Sequence, residues 1–211
     1  FLQTPAWARV KSEWRGERIG FYDGDQLTGV GLILYRKLPK LPRYLAYLPE
    51  GPVLDWSRDD IDEHFDALVA HVKKRQAFAV RVGPAVVHRM WGTKTIKTAI
   101  ADDNVTSLTE VAPDAITPEG ERVVSVLKRG GWITDNTGQG FAAGQPQFNF
   151  QLSLRHEDGT QKSEDELLKG MNQLWRRNIK KAAKLGVEVK LGTREDLARF
   201  HQVYFCLLYT S

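Results

Sequence analysis

Apolar positions at the start of the chain recur at helical spacing and then alternate with polar ones. Trp7, Val10 and Trp14 would share one face of a helix, and Pro5 suits its first turn, so a helix is predicted over residues 5–14. Two strands are predicted over residues 18–22 and 29–35, because apolar residues flank the turn sequence Asp23-Gly24-Asp25. The chain is therefore expected to begin with a helix and a β-hairpin.

A strand, a helix and a second strand are predicted next. Residues 44–47 form an apolar strand that ends where proline and glycine in residues 48–53 require a turn. A helix is predicted over residues 59–75, with Ser57 as its cap and one apolar stripe along it. The stripe consists of Ile61, Phe65, Leu68, Val69 and Val72. The apolar strand Ala77–Val82 follows, and this order predicts a parallel crossover in an α/β layer fold.

The second half of the chain predicts helices separated by loops and short strands. Residues 86–117 favour short helices with loops, and a helix over 119–129 is stopped by Gly130-Gly131 before a strand at 132–134. A loop over 138–146 precedes a strand over 148–154. Ser163 and Glu166 form a capping box that opens one long helix over 163–185, which Gly186 closes. A strand at 187–189 and a helix from residue 194, capped by Thr193, follow.

These elements predict two domains of mixed α/β (α+β) type. The first covers residues 1–147, and residues 148–205 begin a second that contains the basic helix 163–185. Residues 206–211 are expected to be sequencing-adapter read-through, because the codons TGT CTC TTA TAC ACA TCT would encode them and match a transposon mosaic end; the alternative is a genuine helix end. With no initiator Met before Phe1, this tail predicts an incomplete chain.

Composition and charge narrow the class of protein. The 211 residues are 42% hydrophobic and 27% charged, which is ordinary for a globular protein. The net charge of +4 suits an anionic partner such as a nucleotide sugar, a tRNA or a lipid headgroup, although many soluble proteins are equally basic. No apolar run approaches the roughly 18 residues that cross a bilayer, so the expected location is cytoplasmic.

Several common catalytic motifs do not occur in the sequence. It has no phosphate loop, no paired histidines at metal spacing, no Gly-x-Ser-x-Gly turn and a single cysteine, which argues against the usual kinase and hydrolase classes and predicts no metal site. Gly138, Gly140 and Gly144 superficially resemble a dinucleotide loop, but their spacing is wrong. The five histidines sit on polar faces or loops without a visible partner: His64, His71, His88, His156 and His201.

Two groups of residues are candidates for binding phosphate. The last half of the helix 163–185 carries Arg176, Arg177, Lys180, Lys181 and Lys184. Cations at a helix C-terminus have a structural explanation in the helix dipole, and the functional interpretation is a face for tRNA or precursor phosphates. The second group is Lys11, Ser12, Glu13 and Trp14, which would grip a phosphate and pack on a sugar or base, or would be a solvated helix end with Trp14 in the core.

Six separated segments, in order along the chain, resemble the landmarks of the FemABX family of peptidoglycan bridge-forming aminoacyltransferases. They are residues 1–11, 47–55, 80–84, 130–132, 145–146 and 176–182. The resemblance implies two domains, each similar to the acyl-CoA N-acyltransferases known as GNAT, that use aminoacyl-tRNA in place of CoA. It also implies transfer of an amino acid of the Gly, Ala or Ser class to an amine of UDP-MurNAc-pentapeptide or of a lipid-linked precursor.

The resemblance further implies that no cofactor, metal or DNA takes part, and that the enzyme works in the cytoplasm or at the inner face of the plasma membrane by peripheral association. Among the residues present, it implies that Lys11 to Trp14 contact the precursor, with Phe78 where some members carry a tyrosine. The catalytic residues are expected beyond residue 205, so the fragment alone is expected to be inactive. Two departures are Gly83, where many members carry an aspartate, and Glu50, where a basic residue is common.

Two other functions stay open on the sequence. One is an acyl-CoA-dependent N-acyltransferase, which would need a pyrophosphate loop of the Gln/Arg-x-x-Gly-x-Gly/Ala kind at a helix start, and the sequence shows none. The other is a non-catalytic RNA-binding or envelope-associated module that uses the basic helix.

Overall fold

The computed structural model describes residues 1–134 and 146–210, with side chains up to Cys206 in the last helix. Within it the chain divides into two compact units, Phe1–Phe148 and Asn149–Ser211. The predicted loop over 138–146, including Gly138, Gly140, Gly144 and Gln145, falls almost entirely outside the described residues, as does Ser211 at the end of the predicted adapter tail.

The first unit is built on a mixed sheet. Strand β1 (Arg15–Asp23) forms an antiparallel hairpin with β2 (Gln26–Lys37), and Gly24 takes a φ of +56° in the tight turn between them. On the other side of β2 lie β3 (Tyr44–Leu48) and the two-residue β4 (Val53–Leu54), and β5 (Ala77–Val82) is parallel to β3. The predicted hairpin is present with longer strands, and β4 was not predicted.

Helix α2 (Ile61–Lys74) makes the crossover between β3 and β5, so the predicted strand–helix–strand unit is present. Four members of the predicted stripe are buried, while Val69 is only partly buried and His64 takes a buried position instead. The predicted cap at Ser57 is wrong. Its hydroxyl donates to Asp55 at 2.6 Å, and Asp60 is the residue that precedes the helix.

The core lies between one face of the sheet and helices α2 and α4. From the sheet come Ile33, Tyr35, Ala46 and Leu48, and from the helices Phe65, Leu68, Val123 and Val126. Helix α4 (Pro118–Arg129) begins at Thr117, whose hydroxyl accepts the Gly120 N–H at 3.1 Å. The predicted strand at 132–134 is wrong, because Trp132 instead packs its ring edge-on against Phe65, with centroids 5.2 Å apart.

Helix α1 (Pro5–Val10) covers part of the opposite face of the sheet. A β-carbon on Gly16 would lie 3.0 Å from the β-carbon of Ala8, so glycine at this position permits the helix to approach β1. The predicted helix over 5–14 is too long. The chain turns after Val10, with the Trp14 N–H donating to the Lys11 carbonyl at 2.9 Å, because β1 must begin at Arg15.

Between β5 and α4 the chain contains two short strands, β6 (Arg89–Met90) and β7 (Ala115–Ile116), which pair with each other. Between them lie helix α3 (Thr93–Ile100) and a 3₁₀ turn at Leu108–Glu110. The expected short helices are therefore present, and the ladder between β6 and β7 was not predicted.

The second unit is helical among its described residues. It contains α5 (Glu164–Gly170), α6 (Gln173–Lys184), a 3₁₀ turn at Arg194–Asp196 and α7 (Leu197–Thr210). The capping box of Ser163 and Glu166 is present, but the single helix over 163–185 is wrong. Asn172 breaks it, because its side-chain oxygen accepts the Trp175 N–H at 2.9 Å and starts α6 anew.

In the second unit, two predicted helix ends are present, but the predicted strands are not. Gly186 ends α6 with a φ of +71°, and the Thr193 N–H donates to Asp196 at 2.8 Å before α7. Residues 148–154 and 187–189 form no strand, because in the described part of the chain they have no partner strand, and the unit contains only an isolated bridge between Arg155 and Gln161. The backbone of residues 206–210 continues α7, and the adapter origin of this tail stays a prediction.

Candidate functional site

Two neighbouring rows of residues cross the sheet on the face that carries α1. Strand register aligns Gly16, Leu34, Tyr47 and Arg81 in the first row, and Arg36, Leu45 and Ala79 in the second. Because side chains alternate along a strand, these residues face away from the core occupied by Ile33, Tyr35 and Ala46. Helix α1 covers the end of the first row near Gly16, while Arg36 is exposed in β2.

Aromatic rings and cations meet on this open part of the sheet. The rings of Trp14 and Tyr47 lie 6.2 Å apart. The Arg36 guanidinium is 5.6 Å from the centre of the Trp14 ring, and that of Arg81 is 6.0 Å from the centre of Tyr47. Beside them, the Lys11 ammonium lies 5.3 Å from the Trp7 ring. We call Lys11, Trp14, Arg36, Tyr47 and Arg81 the basic-aromatic surface; its cations are held by the negative faces of the rings.

Two cations of this surface, Lys11 and Arg36, have no carboxylate partner among the described residues. Within the described part of the chain, neither Lys11 nor Arg36 forms an ion pair with a carboxylate, whereas Arg58 pairs with Asp60 and Arg75 pairs with Glu17. A cation whose only close partner is a ring keeps its hydrogen-bond donors available. The surface can therefore receive an anionic group while its rings offer an apolar platform.

The structure places the predicted precursor-binding residues at different points around this surface. Lys11 and Trp14 belong to it, and Ser12 and Glu13 are exposed in the same turn. Phe78 lies in β5 and is 55% exposed; it falls where the pairing of β5 with β3 shifts between Ala77 and Ala79, so strand alternation does not assign its side chain to one face. The alternative interpretation, with Trp14 in the core, does not hold, because Trp14 is only partly buried.

Sequence reasoning missed Arg36, Tyr47 and Arg81. The predicted strand ended at residue 35 and so left Arg36 out, yet Arg36 is still part of β2. Its position two residues after Leu34 was the available signal, because residues i and i+2 of a strand lie on one face. Tyr47 and Arg81 gave no such signal, because the residues of β3 and β5 that lie near Arg36 are determined by the register of three strands.

The five basic residues of the second unit lie on α6, which contains no acidic residue. Arg176 donates to the Lys169 carbonyl at 3.0 Å and thereby joins the end of α5 to α6. The other four are exposed and form no ion pair with the described residues: Arg177, Lys180, Lys181 and Lys184. Part of the predicted basic face thus has a structural role, and the rest is free to meet phosphates.

A groove of about 590 Å³ lies on the other side of the first unit, between β1 and α2. Its lining includes the carboxylates of Glu17, Asp23, Asp60 and Glu63. These negative charges would repel an anionic ligand. Glu17 already has partners within the protein, because it accepts hydrogen bonds from Tyr35 at 2.7 Å and Arg75 at 2.7 Å and lies 3.2 Å from His71. The groove is therefore better explained as a structural network.

The network sets the ionisation of Glu17. Desolvation raises its pKa, but the hydrogen bonds from Arg75, Tyr35 and His71 outweigh that effect and lower the pKa to about 2. Burial and the same carboxylate raise the pKa of Tyr35, which keeps its proton and donates it to Glu17. Glu17 thus ties the edge strand β1 to the end of α2.

The expectation that the histidines lack partners is wrong for the four below. His64 is buried, lies 3.0 Å from the Thr28 hydroxyl and 2.9 Å from the Asp60 carbonyl, while His71 meets Glu17. His88 lies 2.8 Å from Glu121, and His156 lies 3.4 Å from Glu166. These contacts are structural, and among the described residues no group of three or more His, Cys, Asp or Glu side chains is arranged to hold a metal ion.

Gly83 and Glu50 lie together at the carboxyl ends of the parallel strands β3 and β5. The Gly83 N–H donates to the Gly51 carbonyl at 3.3 Å, and Glu50 has a φ of +52° in the turn before Gly51. Glu50 is exposed, so the turn that pairs with Gly83 through Gly51 carries an acidic residue at its surface. In the part of the chain that the structure describes, no helix is both long and apolar enough to span a bilayer.

Comparisons with known proteins find one family that the chain matches. The model of the FemAB family matches residues 1–205. The chain is 25% identical over 201 residues to the lipid II:glycine glycyltransferase of Staphylococcus epidermidis, with 94% of the chain and 41% of the relative covered. It is 24% identical over 205 residues to that of Staphylococcus aureus, with 96% and 41% covered.

A solved structure shows the same fold. The crystal structure of FemX superposes with a TM-score of 0.59 at 24% identity, covering 95% of this chain and 42% of that one. The chain thus spans 41% of the length of these curated relatives and 42% of that structure.

Proposed function

Since the chain belongs to the FemAB family, we propose that the full-length protein transfers an aminoacyl group, glycine in the first place, from an aminoacyl-tRNA to an amine of a peptidoglycan precursor. Relatives that cover nearly the whole chain are named lipid II:glycine glycyltransferases, which supports both the donor amino acid and the class of acceptor. The proposal concerns the full-length protein, because the chain spans 41% of those relatives.

The observation that carries this proposal is the basic-aromatic surface. A peptidoglycan precursor has a diphosphate bonded to an amino sugar, so it needs a site with cations beside an apolar platform. Lys11 supplies an ammonium that no carboxylate of the described residues neutralises, and Trp14 and Tyr47 supply the platform. Phe78 is exposed in β5 but, unlike a tyrosine, has no hydroxyl to donate.

The reaction needs no activation beyond the substrates. The lone pair of the acceptor amine attacks the ester carbon of aminoacyl-tRNA, a C–N bond forms, and the C–O bond to the ribose breaks. The proton of the amine ends on the released ribose hydroxyl. The protein must hold the two substrates in line, assist the loss of the proton and stabilise the oxyanion. The residues that perform the last two tasks are expected outside this chain.

The exposed cations of α6 are proposed to meet the tRNA phosphates. Four of the five basic residues have no ion pair among the described residues, and a helix without acids presents them as one charged region. The mixed sheet with its crossover helix supports a GNAT-like first domain, in which aminoacyl-tRNA takes the place of CoA. A lipid-linked acceptor would bring the protein to the inner face of the membrane by peripheral association.

The test is transfer by the purified full-length protein. Radiolabelled glycyl-tRNA, alanyl-tRNA and seryl-tRNA are each supplied with UDP-MurNAc-pentapeptide or with lipid II, and the precursor is analysed by mass spectrometry. The expected product is a precursor that has gained one glycine residue, and digestion of the tRNA with ribonuclease before the assay abolishes it. Transfer from glycyl-CoA but from no aminoacyl-tRNA would overturn the proposal, as would salt-sensitive tRNA binding without any transfer.

A further inference from the structure

We propose that Arg36 is a binding residue for the diphosphate of the precursor, held in position by the ring of Trp14. The inference rests on the proposed function for the identity of the ligand. It adds a specific residue that no motif in the sequence had indicated.

The position of Arg36 follows from the sheet. Arg36 is exposed in β2, two residues beyond Leu34 and therefore on the same face, and its guanidinium lies 5.6 Å from the centre of the Trp14 ring. Trp14 in turn contacts Tyr47, with ring centres 6.2 Å apart. The guanidinium thus lies at the rim of the aromatic platform, where the diphosphate of a sugar packed on the rings would be.

The charge of Arg36 is available to a ligand. In the described part of the chain Arg36 has no carboxylate partner, and Glu17, an acid on the neighbouring strand, faces the core side of the sheet, where it binds Tyr35, His71 and Arg75. The planar guanidinium of Arg36 can donate two parallel hydrogen bonds to phosphate oxygens, which an ammonium such as that of Lys11 cannot do. The ring of Trp14 limits the motion of the guanidinium, so less freedom is lost on binding.

A matched control is present in the same sheet. Arg15 lies 4.5 Å from the centre of the Tyr35 ring and 4.9 Å from that of Tyr44. Tyr35 belongs to the core face, so Arg15 is an arginine with the same kind of ring contact on the opposite side of the sheet. If only the total positive charge mattered, Arg15→Gln and Arg36→Gln would weaken precursor binding equally. If Arg36 itself contacts the diphosphate, only Arg36→Gln weakens precursor binding.

The experiment measures KM for both substrates in the full-length protein, with Arg36→Gln, Arg36→Lys and Arg15→Gln. The Arg36→Gln change is expected to raise KM for the precursor about tenfold, because one charge-assisted interaction is lost. KM for aminoacyl-tRNA stays constant, Arg36→Lys gives an intermediate value, and Arg15→Gln matches the wild type. The defect shrinks at high salt, as expected for a lost charge and not for a lost packing contact. UDP-linked and lipid-linked precursors are compared, and equal defects assign the contact to their shared diphosphate and sugar.

Three results would overturn the inference: the same precursor KM in Arg36→Gln and Arg15→Gln, a rise in KM for aminoacyl-tRNA instead, or a defect of Arg36→Gln that persists unchanged at high salt. Equilibrium binding of UDP-MurNAc-pentapeptide to the same variants separates this inference from the proposed function. If the wild type binds the precursor but transfers nothing, the proposed function fails and the binding constants still decide the role of Arg36. If the wild type does not bind it at all, the inference fails as well.

Discussion

The two units of the chain contrast in what holds them together. In the first, two helices bury their apolar stripes against a sheet, and residues such as Ile33 and Leu68 are at most 1% exposed. In the second, no side chain of the described residues 149–206 is buried, although α6 has an apolar side with Trp175 and Ile179. Its helices are defined by caps at Ser163 and Asn172. Long-range packing specifies the first unit, and local hydrogen bonds specify the second.

The largest expected effect concerns the core of the first unit. Phe65 is 2% exposed and packs its ring against Trp56 and Trp132, so Phe65→Ala is expected to lower the free energy of unfolding of this unit by about 3–5 kcal/mol. Trp175 is 63% exposed in α6, and Trp175→Ala should change stability by no more than about 0.5 kcal/mol. Native-state hydrogen exchange of both units measures the two values. A loss of similar size in both variants would contradict the contrast.

The second effect is smaller and depends on pH. Glu17→Gln removes the charge that binds Arg75, His71 and Tyr35. The free energy of unfolding is expected to fall by about 1–2 kcal/mol, a value reduced for the partial exposure of the carboxylate. The pKa of Glu17 is lowered from 4.5 to about 2 on folding, so its contribution is complete above pH 4.5 and is lost as the pH falls through about 2. Urea unfolding of wild type and variant checks this. The difference between them should narrow between pH 5 and about 2; a constant difference would show that the charge is not responsible.

The smallest expected effect concerns the cap of α6 in the second unit. Asn172→Ala removes the side-chain oxygen that accepts the Trp175 N–H, and it should lower the local stability of α6 by about 1 kcal/mol. Exchange of the amides of Trp175 and Arg176 should accelerate, while α2 is unaffected. Asn172→Asp is the control, because it keeps the accepting oxygen. Equal acceleration in α2 would mean that the helix boundary is set by global stability and not by the cap.

The sequence predicted what local pattern and chain order determine. The crossover of β3, α2 and β5 follows from an apolar strand, an amphipathic helix and a second apolar strand in order. The strand at 148–154 was wrong because alternation of apolar residues does not supply a partner strand. The long helix over 163–185 was wrong because Asn172 is a stronger start signal than the apolar spacing that runs through it.

The candidate site was predictable only in part for the same reason. Lys11 and Trp14 could be named because they lie in one short segment that resembles the family. Arg36, Tyr47 and Arg81 lie on three different strands, and only the pairing of β2 with β3 and of β3 with β5 brings Arg36 and Tyr47 beside Trp14 and Arg81 beside Tyr47. Strand register, which determines which side chains share a face, is not contained in the pattern of any one strand.

The most direct test of the account asks whether the two units bind different substrates. In the full-length protein, Lys11→Gln removes one charge of the basic-aromatic surface, and the double variant Lys180→Gln with Lys184→Gln removes two from α6. Steady-state kinetics with glycyl-tRNA and lipid II give both KM values for each variant. Lys11→Gln is expected to raise only the KM for lipid II, and the double variant is expected to raise only the KM for glycyl-tRNA. A parallel rise of both KM values in both variants would contradict this expectation.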